Sequence, residues 1–297
     1  MIGLGLDGGG TGSRWRLLDE KGAVLGEGTT GALTGHLFDE PTRAKAQQTV
    51  QGLAAAVRAA GRPQRIIAGI AGLSAGTDTA HLLASWLAAA FGLGTGAVQV
   101  TDDMHIAYRA AFNLGEGILV YAGTGSIAVH LTKDGKAERA GGHGYLIDDA
   151  GSGFWIGQRA LRAMLHAEDE RRDGGALAQE LCSVTGSEWS LIRSYVYGGG
   201  RAAVAALVPA VAKAALRDDE VATTILSTAG EELGRLARVL LARIGPQPVA
   251  LSGGVTRASP LILSHFKAAL PRDAVVRQIS QAPVETAARL AAEGAWA

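Results

Sequence analysis

Apolar residues alternate with small or polar residues at positions 2–6 and again at positions 15–17. This period of two predicts two strands, and residues 24–27 add a third strand after a turn at Gly22. Apolar residues spaced three or four positions apart predict helices at residues 41–60 and 81–91. Each of these helices is followed by a buried strand, at residues 66–71 and 97–101. The alternation of strand and helix predicts an α/β domain.

A second β-meander is predicted at residues 118–122, 127–132 and 136–140. It repeats the first meander at one constant offset along the chain. The matching positions are Thr11, Gly12, Ser13 and Gly22 in the first meander and Thr124, Gly125, Ser126 and Gly135 in the second. We interpret the match as an internal duplication, and a chance likeness between two glycine-rich hairpins is the alternative.

The chain is predicted to be largely helical after residue 151. The predicted helices cover residues 153–166, 176–182, 189–195, 202–216 and 220–243. Alanine dominates them, which is typical of a closely packed scaffold. A last α/β unit follows, with a strand at residues 248–251, a glycine turn and a helix to residue 270, and residues 284–292 form a closing helix.

Two domains are expected, because 297 residues exceed what one hydrophobic core usually supports. We place residues 1–112 with 284–297 in one domain and residues 113–283 in the other. The formal net charge is zero, so no overall field favours nucleic acid or an anionic membrane, and a small molecule is the expected partner. The oligomeric state stays open, with a homodimer among the options.

The single cysteine, Cys182, excludes an internal disulfide and a cysteine-based zinc or iron–sulfur site. The first residues lack the pattern of a signal peptide, and the apolar stretch at residues 82–98 is interrupted by glycines and is not expected to span a membrane. We therefore expect a cytoplasmic protein.

Glycine loops carry the predicted nucleotide-binding chemistry. Glycines after a strand let backbone N–H groups approach phosphate oxygens, and hydroxyl groups add further donors. The candidate nucleotide-binding residues are Gly9, Gly10, Thr11, Gly12, Ser13, Gly123, Thr124, Gly125, Gly253 and Gly254. Asp7, at the end of the first strand, offers a hard oxygen ligand for Mg²⁺. The alternative for each loop is a tight hairpin turn.

Two other phosphate motifs are excluded. Gly3, Gly5 and Gly8 have the spacing of a dinucleotide fingerprint, but they lie within a strand and no helix follows them. The chain also contains no GxxxxGK[ST] sequence, so it has no P-loop of that type.

Asp102 and Asp103 follow a buried strand and precede a predicted helix, where ligand sites of α/β sheets commonly lie. An N-cap is the alternative for either residue, and both can hold at once if one Asp caps the helix. The segment 141–153 is too rich in glycine for a helix and too polar for a core strand, so it is a candidate site loop. Within it, His143 is more typical of a hydrogen-bonding loop residue than of a general base.

Together these segments resemble the N-acetylglucosamine kinase group of the BadF/BadG/BcrA/BcrD ATPase-like family, within the actin, Hsp70 and sugar kinase superfamily. The motifs are DGGGTGSR, TDD, AGTGS, LSGGV and GGHGYLIDDAGSGFWIG, in the order of the family and over nearly the whole chain. The resemblance implies two actin-like, ribonuclease H-like domains with a nucleotide cleft between them and a helical insertion in the second. It also implies ATP and Mg²⁺.

The resemblance further implies an ATP-dependent kinase that phosphorylates N-acetylglucosamine or glucosamine at the 6-hydroxyl. In that reading Asp103 accepts the proton of the sugar hydroxyl, Thr11 and Thr124 contact phosphate, and Gly253 and Gly254 lie against adenosine. The candidate substrate-binding residues are Gly35, His36, Asp103, Gly142, His143 and Asp149.

Several positions depart from the family pattern and concern the choice of sugar. Residues 33–36 lack the usual sugar-binding Asn, and His143, Asp148 and Ala150 replace Trp, Gly and Glu. Unpaired polar groups discriminate strongly between substrates, so a different sugar is one consequence. The alternative functions are an ATPase activator and a non-catalytic nucleotide- or sugar-binding protein of the same family.

Overall fold

The computed structural model describes residues 1–10, 12–73, 76–277, 279 and 281–295. Close contacts divide the chain into two compact units. The first unit is Met1–Leu114 with Ser280–Ala297, and the second is Gly115–Ile279. Each unit contains one five-stranded sheet, so the predicted α/β class is confirmed.

Across the described residues, the strands are β1 (Gly3–Gly8), β2 (Ser13–Leu18), β3 (Val24–Thr30), β4 (Arg65–Ile70), β5 (Val98–Asp102), β6 (Ile118–Ala122), β7 (Ser126–Leu131), β8 (Ala137–Gly141), β9 (Val249–Ser252) and β10 (Val276–Arg277). The helices are α1 (Glu40–Ala60), α2 (Asp78–Phe91), α3 (Asp103–Ala111), α4 (Gly153–Asp169), α5 (Gly175–Thr185), α6 (Trp189–Ala205), α7 (Val208–Ala215), α8 (Glu220–Ile244), α9 (Pro260–Ala268) and α10 (Pro283–Glu293). Two short 3₁₀ helices lie at Thr95–Ala97 and Gly254–Arg257.

The two sheets have the same topology. The first has the strand order β3-β2-β1-β4-β5, and the second has the order β8-β7-β6-β9-β10. In each sheet three antiparallel strands form a meander, and two further strands run parallel to the first strand of that meander. This is the arrangement that the predicted duplication requires.

Opposite faces of β1 contact different helices of the first unit. Leu4 and Leu6 are fully buried in a cluster with Val50 of α1. On the other face, a methyl group added at Gly3 would lie 2.1 Å from the backbone nitrogen of Ala292. The closing helix α10 can therefore lie directly against the strand, because glycine leaves room for its backbone.

The helical insertion predicted for the second unit is present, since α4 to α8 lie between β8 and β9. A small residue lets the last of these helices, α8, approach α9 closely. At Gly230 of α8, an added methyl group would lie 2.4 Å from the carbonyl oxygen of Ile262 of α9. Leu226 and Leu233 of α8 are fully buried in the core of this unit.

Two predicted boundaries were wrong in this insertion. Helix α6 begins at Trp189, as predicted, but it does not end near residue 195 and continues across the predicted gap to Ala205. The rest of the helix predicted at residues 202–216 is the separate helix α7. Helix α6 continues through a run of three glycines, although Gly200 has φ 59° and ψ −150°, far from helical values. Residues 202–216 are mainly alanine and other apolar residues, so propensity alone does not locate the break between α6 and α7.

Among the described residues, no helix has both the length and the apolar character needed to cross a lipid bilayer.

Candidate active site

The first glycine loop joins β1 to β2. The N–H of Gly9 donates to the carbonyl oxygen of Gly12 at 3.2 Å, which closes the turn. A methyl group added at Gly10 would meet its nearest atom only at 4.0 Å, so the outer side of this loop is open. The hydroxyl of Ser13 is buried and accepts a hydrogen bond from the N–H of Leu33 at 3.0 Å. Ser13 therefore anchors the segment that follows β3, and the predicted phosphate contact of Thr11 lies outside the described residues.

Asp7 lies at the end of β1 and pairs with two neighbouring strands. It is opposite Arg14 of β2 and opposite Gly69 of β4, and Gly69 in turn pairs with Thr101 of β5. Burial raises the pKa of the Asp7 carboxyl, and the charge of Arg14 opposes this shift. Arg14 is exposed and was not among the predicted site residues. The sequence could have indicated it, because Arg14 lies two residues after Gly12 in a strand of period two, on the same face of the sheet as Asp7.

Gly69 determines how closely α3 approaches the sheet. A methyl group added at this residue would lie 2.7 Å from Cγ1 of Ile106 and 3.4 Å from Cα of Asp103. Gly69 was also missed by the sequence analysis. The signal was present, because a single glycine inside an apolar strand often marks a close backbone approach.

Asp102 and Asp103 have different roles at the start of α3. Asp102 is the N-cap, and its carboxylate accepts a hydrogen bond from the N–H of His105 at 2.6 Å. Asp103 is the first residue of the helix. Burial, followed by the negative charges of Asp102 and Asp7, raises the pKa of Asp103 from 3.8 to about 6. A carboxyl group with this pKa can accept a proton near neutral pH.

Mg²⁺ fits the acidic end of this sheet. Among the described residues, no group of three or more His, Cys, Asp or Glu side chains forms a complete metal site. Mg²⁺ does not need one, because it commonly binds one or two carboxylates together with water and substrate phosphates. Asp7 and Asp103 are close enough for the charge of one to raise the pKa of the other, and a divalent cation would relieve this repulsion.

Gly35 and His36 pack against the segment that follows β4. The N–H of Gly35 donates to the carbonyl oxygen of Ala71 at 2.9 Å, and the N–H of Ala71 donates to the carbonyl oxygen of Gly8 at 2.9 Å. The His36 ring lies beside Gly72, where an added methyl group would be 2.5 Å from Nε2. The predicted residues of the first unit that the structure describes are thus gathered at the carboxyl ends of β1, β4 and β5, where α/β sheets commonly bind ligands.

The second glycine loop joins β6 to β7 and contacts the start of α4. The N–H of Gly123 donates to the carbonyl oxygen of Gly125 at 2.9 Å. The N–H groups of Gly153 and Phe154 donate to the carbonyl oxygens of Gly123 and Thr124, at 2.8 and 3.2 Å. The first turn of α4 therefore holds this loop in place.

Asp149 lies directly beside the second loop. It has φ 58° and is buried, and its Oδ1 accepts a hydrogen bond from the N–H of Gly144 at 3.2 Å. A methyl group added at Gly125 would lie 2.6 Å from its Oδ2. The predicted sugar-site residues Gly142 and His143 belong to the same loop and are both exposed. Asp149 lies against the second glycine loop, and the N–H of Gly142 donates to the carbonyl oxygen of Ser126, directly after the loop, at 3.0 Å.

Gly253 and Gly254 follow β9, beside the second loop. Tyr121 of β6 pairs with Ser252 of β9, so the two glycines lie at the same end of the sheet as Gly123. Gly253 has φ 107°, and a methyl group added there would lie 2.2 Å from the carbonyl oxygen of Ala122. Gly254 faces open space. A side chain is therefore excluded at Gly253 by the fold itself, whereas nothing in the fold excludes one at Gly254.

A family model described as the BadF/BadG/BcrA/BcrD ATPase family matches residues 4–291. An N-acetylmuramic acid/N-acetylglucosamine kinase of Clostridium acetobutylicum is 35% identical over 142 residues, which cover 46% of each chain. A glucosamine kinase of Vibrio cholerae is 29% identical over 168 residues, covering 56% of this chain and 55% of the other. The chain thus spans about half the length of the curated relatives it matches.

Solved structures match over nearly the full length. A protein of Chromobacterium violaceum, assigned as an N-acetylglucosamine kinase, is 29% identical with a TM-score of 0.77 over 98% of both chains. A ROK family glucokinase of Streptomyces griseus, in complex with glucose and AMPPNP, is 17% identical with a TM-score of 0.64 over 99% of both chains. The second likeness shows the fold alone. These matches confirm the predicted fold of the actin-like sugar kinases.

Proposed function

The chain belongs to the BadF/BadG/BcrA/BcrD ATPase family, as its motifs imply, and we propose that it is an ATP-dependent kinase that phosphorylates an amino sugar. The acceptor is N-acetylglucosamine or glucosamine, and the phosphate is transferred to its 6-hydroxyl. The names of the relatives in Clostridium acetobutylicum and Vibrio cholerae support an amino sugar as substrate.

The observation that carries this proposal is the placement of Asp103 at the first residue of α3, beside Gly69 of β4 and near Asp7. Its raised pKa supports the assignment. Its value of about 6 suits a general base, because the group is ionised at neutral pH and still able to hold a proton. In the proposed reaction Asp103 orients the 6-hydroxyl of the sugar and accepts its proton as the hydroxyl oxygen attacks the γ-phosphorus of ATP. The bond between the γ-phosphorus and the β,γ-bridging oxygen breaks, and ADP leaves.

Phosphoryl transfer depends mainly on positioning and on charge neutralisation. We assign Gly9, Gly10, Thr11, Gly12 and Ser13 of the first loop, and Gly123, Thr124 and Gly125 of the second, to the phosphates of ATP. Gly253 and Gly254 are assigned to adenosine. Asp7 would hold Mg²⁺, which, when bound, supplies positive charge to the phosphate oxygens.

The sugar is assigned to Gly35 and His36 of the first unit and to Gly142, His143 and Asp149 of the second. The close packing of Gly35 and His36 against the end of β4 supports their part in this assignment, because it holds them at the same strand ends as Asp103. Asp149 is buried beside Gly125, and its Oδ1 accepts a hydrogen bond from Gly144, so we expect only its Oδ2 to reach a ligand.

Release of ADP, measured with a panel of acceptors, tests the proposal. The panel contains N-acetylglucosamine, glucosamine, N-acetylmuramic acid, glucose and a reaction without sugar. We expect an amino sugar to stimulate release strongly, and phosphorus NMR of the product to show a 6-phosphate. Asp169→Asn, at an exposed site near the end of α4, is a matched control for Asp103→Asn.

Failure has two recognisable forms in this assay. Rapid hydrolysis of ATP without any sugar would favour the ATPase activator alternative. No stimulation by any acceptor, together with intact ATP binding, would favour a non-catalytic nucleotide-binding protein.

A further inference from the structure

Helix α6 contains a feature that the proposed kinase residues do not explain. Residues 198–200 are three consecutive glycines, and Gly200 has φ 59° and ψ −150°. Glycine adopts positive φ without a steric penalty, so the helix changes direction at this residue. The hydroxyl of Tyr195, before the kink, donates to the carbonyl oxygen of Ala203, after it, at 3.0 Å. This hydrogen bond joins the two segments of α6.

The segment after the kink packs against α4 and the second glycine loop. A methyl group added at Gly157 of α4 would lie 2.0 Å from the carbonyl oxygen of Val204. One added at Gly153 would lie 3.1 Å from the carbonyl oxygen of Gly123 and 3.2 Å from Cβ of Ala205. Val204 and Ala205, at the end of this segment, therefore lie beside the start of α4, which contacts the loop that we assign to phosphate.

Arg201 is the first residue after the kink. Its Nη2 lies 3.7 Å from the position that a methyl group on Gly125 would occupy. Its guanidinium carbon is 5.6 Å from the centre of the Tyr145 ring, and that ring in turn contacts Phe154 edge-on at 4.8 Å. The aromatic ring supports the guanidinium through a cation–π contact. Arg201 is nevertheless exposed, so its polar edge is accessible to a ligand.

Two side chains of opposite charge lie near Gly125, the carboxylate of Asp149 and the guanidinium of Arg201, and only the second attracts an anion. The buried Oδ2 of Asp149 lies 2.6 Å from the added methyl position, and Arg201 approaches the same position. Within the described part of the chain, no carboxylate lies within 4.0 Å of the Arg201 guanidinium. Its planar donors are therefore not occupied by an ion pair and suit the oxygens of a phosphate group.

We propose that Arg201 is a phosphate-binding residue of the second glycine loop, brought there by the Gly200 kink, and that it contacts the polyphosphate of ATP. This rests on the proposed kinase function, because that function assigns the loop to the nucleotide. The missing side chain at Gly125 leaves the space that Oδ2 of Asp149 occupies, 2.6 Å from the added methyl position, and Nη2 of Arg201 lies 3.7 Å from the same position. Tyr145 holds the side chain in this orientation before the nucleotide binds.

The test compares two ligands that differ only in the phosphates. The affinities for a non-hydrolysable ATP analogue and for adenosine are measured for the wild type and for Arg201→Ala. We expect the analogue to bind roughly 10- to 100-fold more weakly to the variant, the loss typical of a charged hydrogen bond, while adenosine binding is unchanged. Arg201→Lys, which keeps the charge but loses the planar donor pair, should give an intermediate value.

Arg159→Ala is the matched control. Arg159 also lies over an aromatic ring, that of Trp155 at 4.3 Å, and is exposed. The Arg159→Ala variant should leave the affinities for the ATP analogue and for adenosine unchanged. The inference is overturned if Arg201→Ala leaves the affinity for the analogue unchanged or weakens both ligands by the same factor. These affinity measurements contain no sugar, so they do not depend on the kinase reaction. A failure of the kinase proposal would appear in the separate ADP-release assay, as wild-type release that no sugar stimulates.

Discussion

The carboxylate of Asp102 accepts a hydrogen bond from the backbone N–H of His105 at 2.6 Å and so caps α3. This contact assigns different tasks to two adjacent carboxylates. Asp102 caps the helix, and Asp103 is the carboxylate that we propose as the base. The capping residue still acts on its neighbour, because its negative charge is the second-largest cause, after burial, of the raised pKa of Asp103.

The proposed base predicts how the rate depends on pH. Asp103 must be ionised to accept a proton, and its pKa in the folded protein is about 6. We therefore expect kcat/KM for the sugar to rise with pH and then to level off, with the acid limb at about 6 or lower, because Mg²⁺ bound at Asp7 would lower the pKa of Asp103. ADP release measured between about pH 5 and pH 8 gives this profile.

Asp102→Asn is the informative variant for that profile. Asn is a good N-cap, so the helix start should be retained while the negative charge is removed. The acid limb should then move to lower pH. An unchanged limb would show that the titrating group is not Asp103.

Asp103→Asn should lower activity and raise stability at the same time. Turnover should fall roughly 10²- to 10⁴-fold, the usual contribution of a positioned base, while ATP binding is retained. The pKa is raised from 3.8 to about 6, so ionised Asp103 destabilises the folded state. This cost is absent below pH 3.8, grows between pH 3.8 and about 6, and is complete above that pH.

Removing the charge should therefore increase the free energy of unfolding at pH 7 by about 1–3 kcal/mol. Urea unfolding without Mg²⁺, at pH 7 and near pH 4, measures the difference. A variant that is less stable than the wild type at pH 7, or equally stabilised at both pH values, would contradict the burial of an ionised carboxylate.

The strands and their glycine loops were predictable from the sequence because each depends on local pattern. Alternation of period two located β1, β2, β6 and β7. The constant spacing between residues 11–13 and residues 124–126 indicated a repeat, and the two sheets share one topology. The Asp102–Asp103 pair was located by its position between a buried strand and a predicted helix. Which of the two caps the helix depends on a three-residue backbone geometry that the sequence leaves open.

Other features depend on contacts between distant segments, for which the sequence carries only a general signal. Gly69 is one glycine among 42, and only the position of α3 shows that its missing side chain admits Ile106 and Asp103. Likewise, the three glycines at residues 198–200 disfavour a helix, and only the structure shows that α6 continues through them with a kink at Gly200. Its effect on Arg201 appears only when the second segment of α6 is seen to pack on α4.

Gly69→Ala should reduce turnover by displacing the start of α3. The new methyl group would lie 2.7 Å from Cγ1 of Ile106, so the helix carrying Asp103 must shift. Overpacking of this kind costs about 1–3 kcal/mol of stability, and a displaced base lowers kcat more than it raises KM for ATP. Gly52→Ala, in α1 with open space around it, is the control and should be neutral or slightly stabilising. Unchanged kcat in Gly69→Ala would show that Asp103 does not require this close approach.

The two glycines after β9 should respond oppositely to substitution, although they are adjacent. Gly253→Ala combines φ 107° with a methyl group 2.2 Å from the carbonyl oxygen of Ala122, so it should lower the free energy of unfolding by about 2–4 kcal/mol. Gly254→Leu places its side chain in open space and should leave stability unchanged. If adenosine lies against this backbone, the leucine should nevertheless weaken adenosine binding. Thermal unfolding and adenosine titration of both variants separate the two effects, and normal adenosine affinity in Gly254→Leu would remove Gly254 from the proposed site.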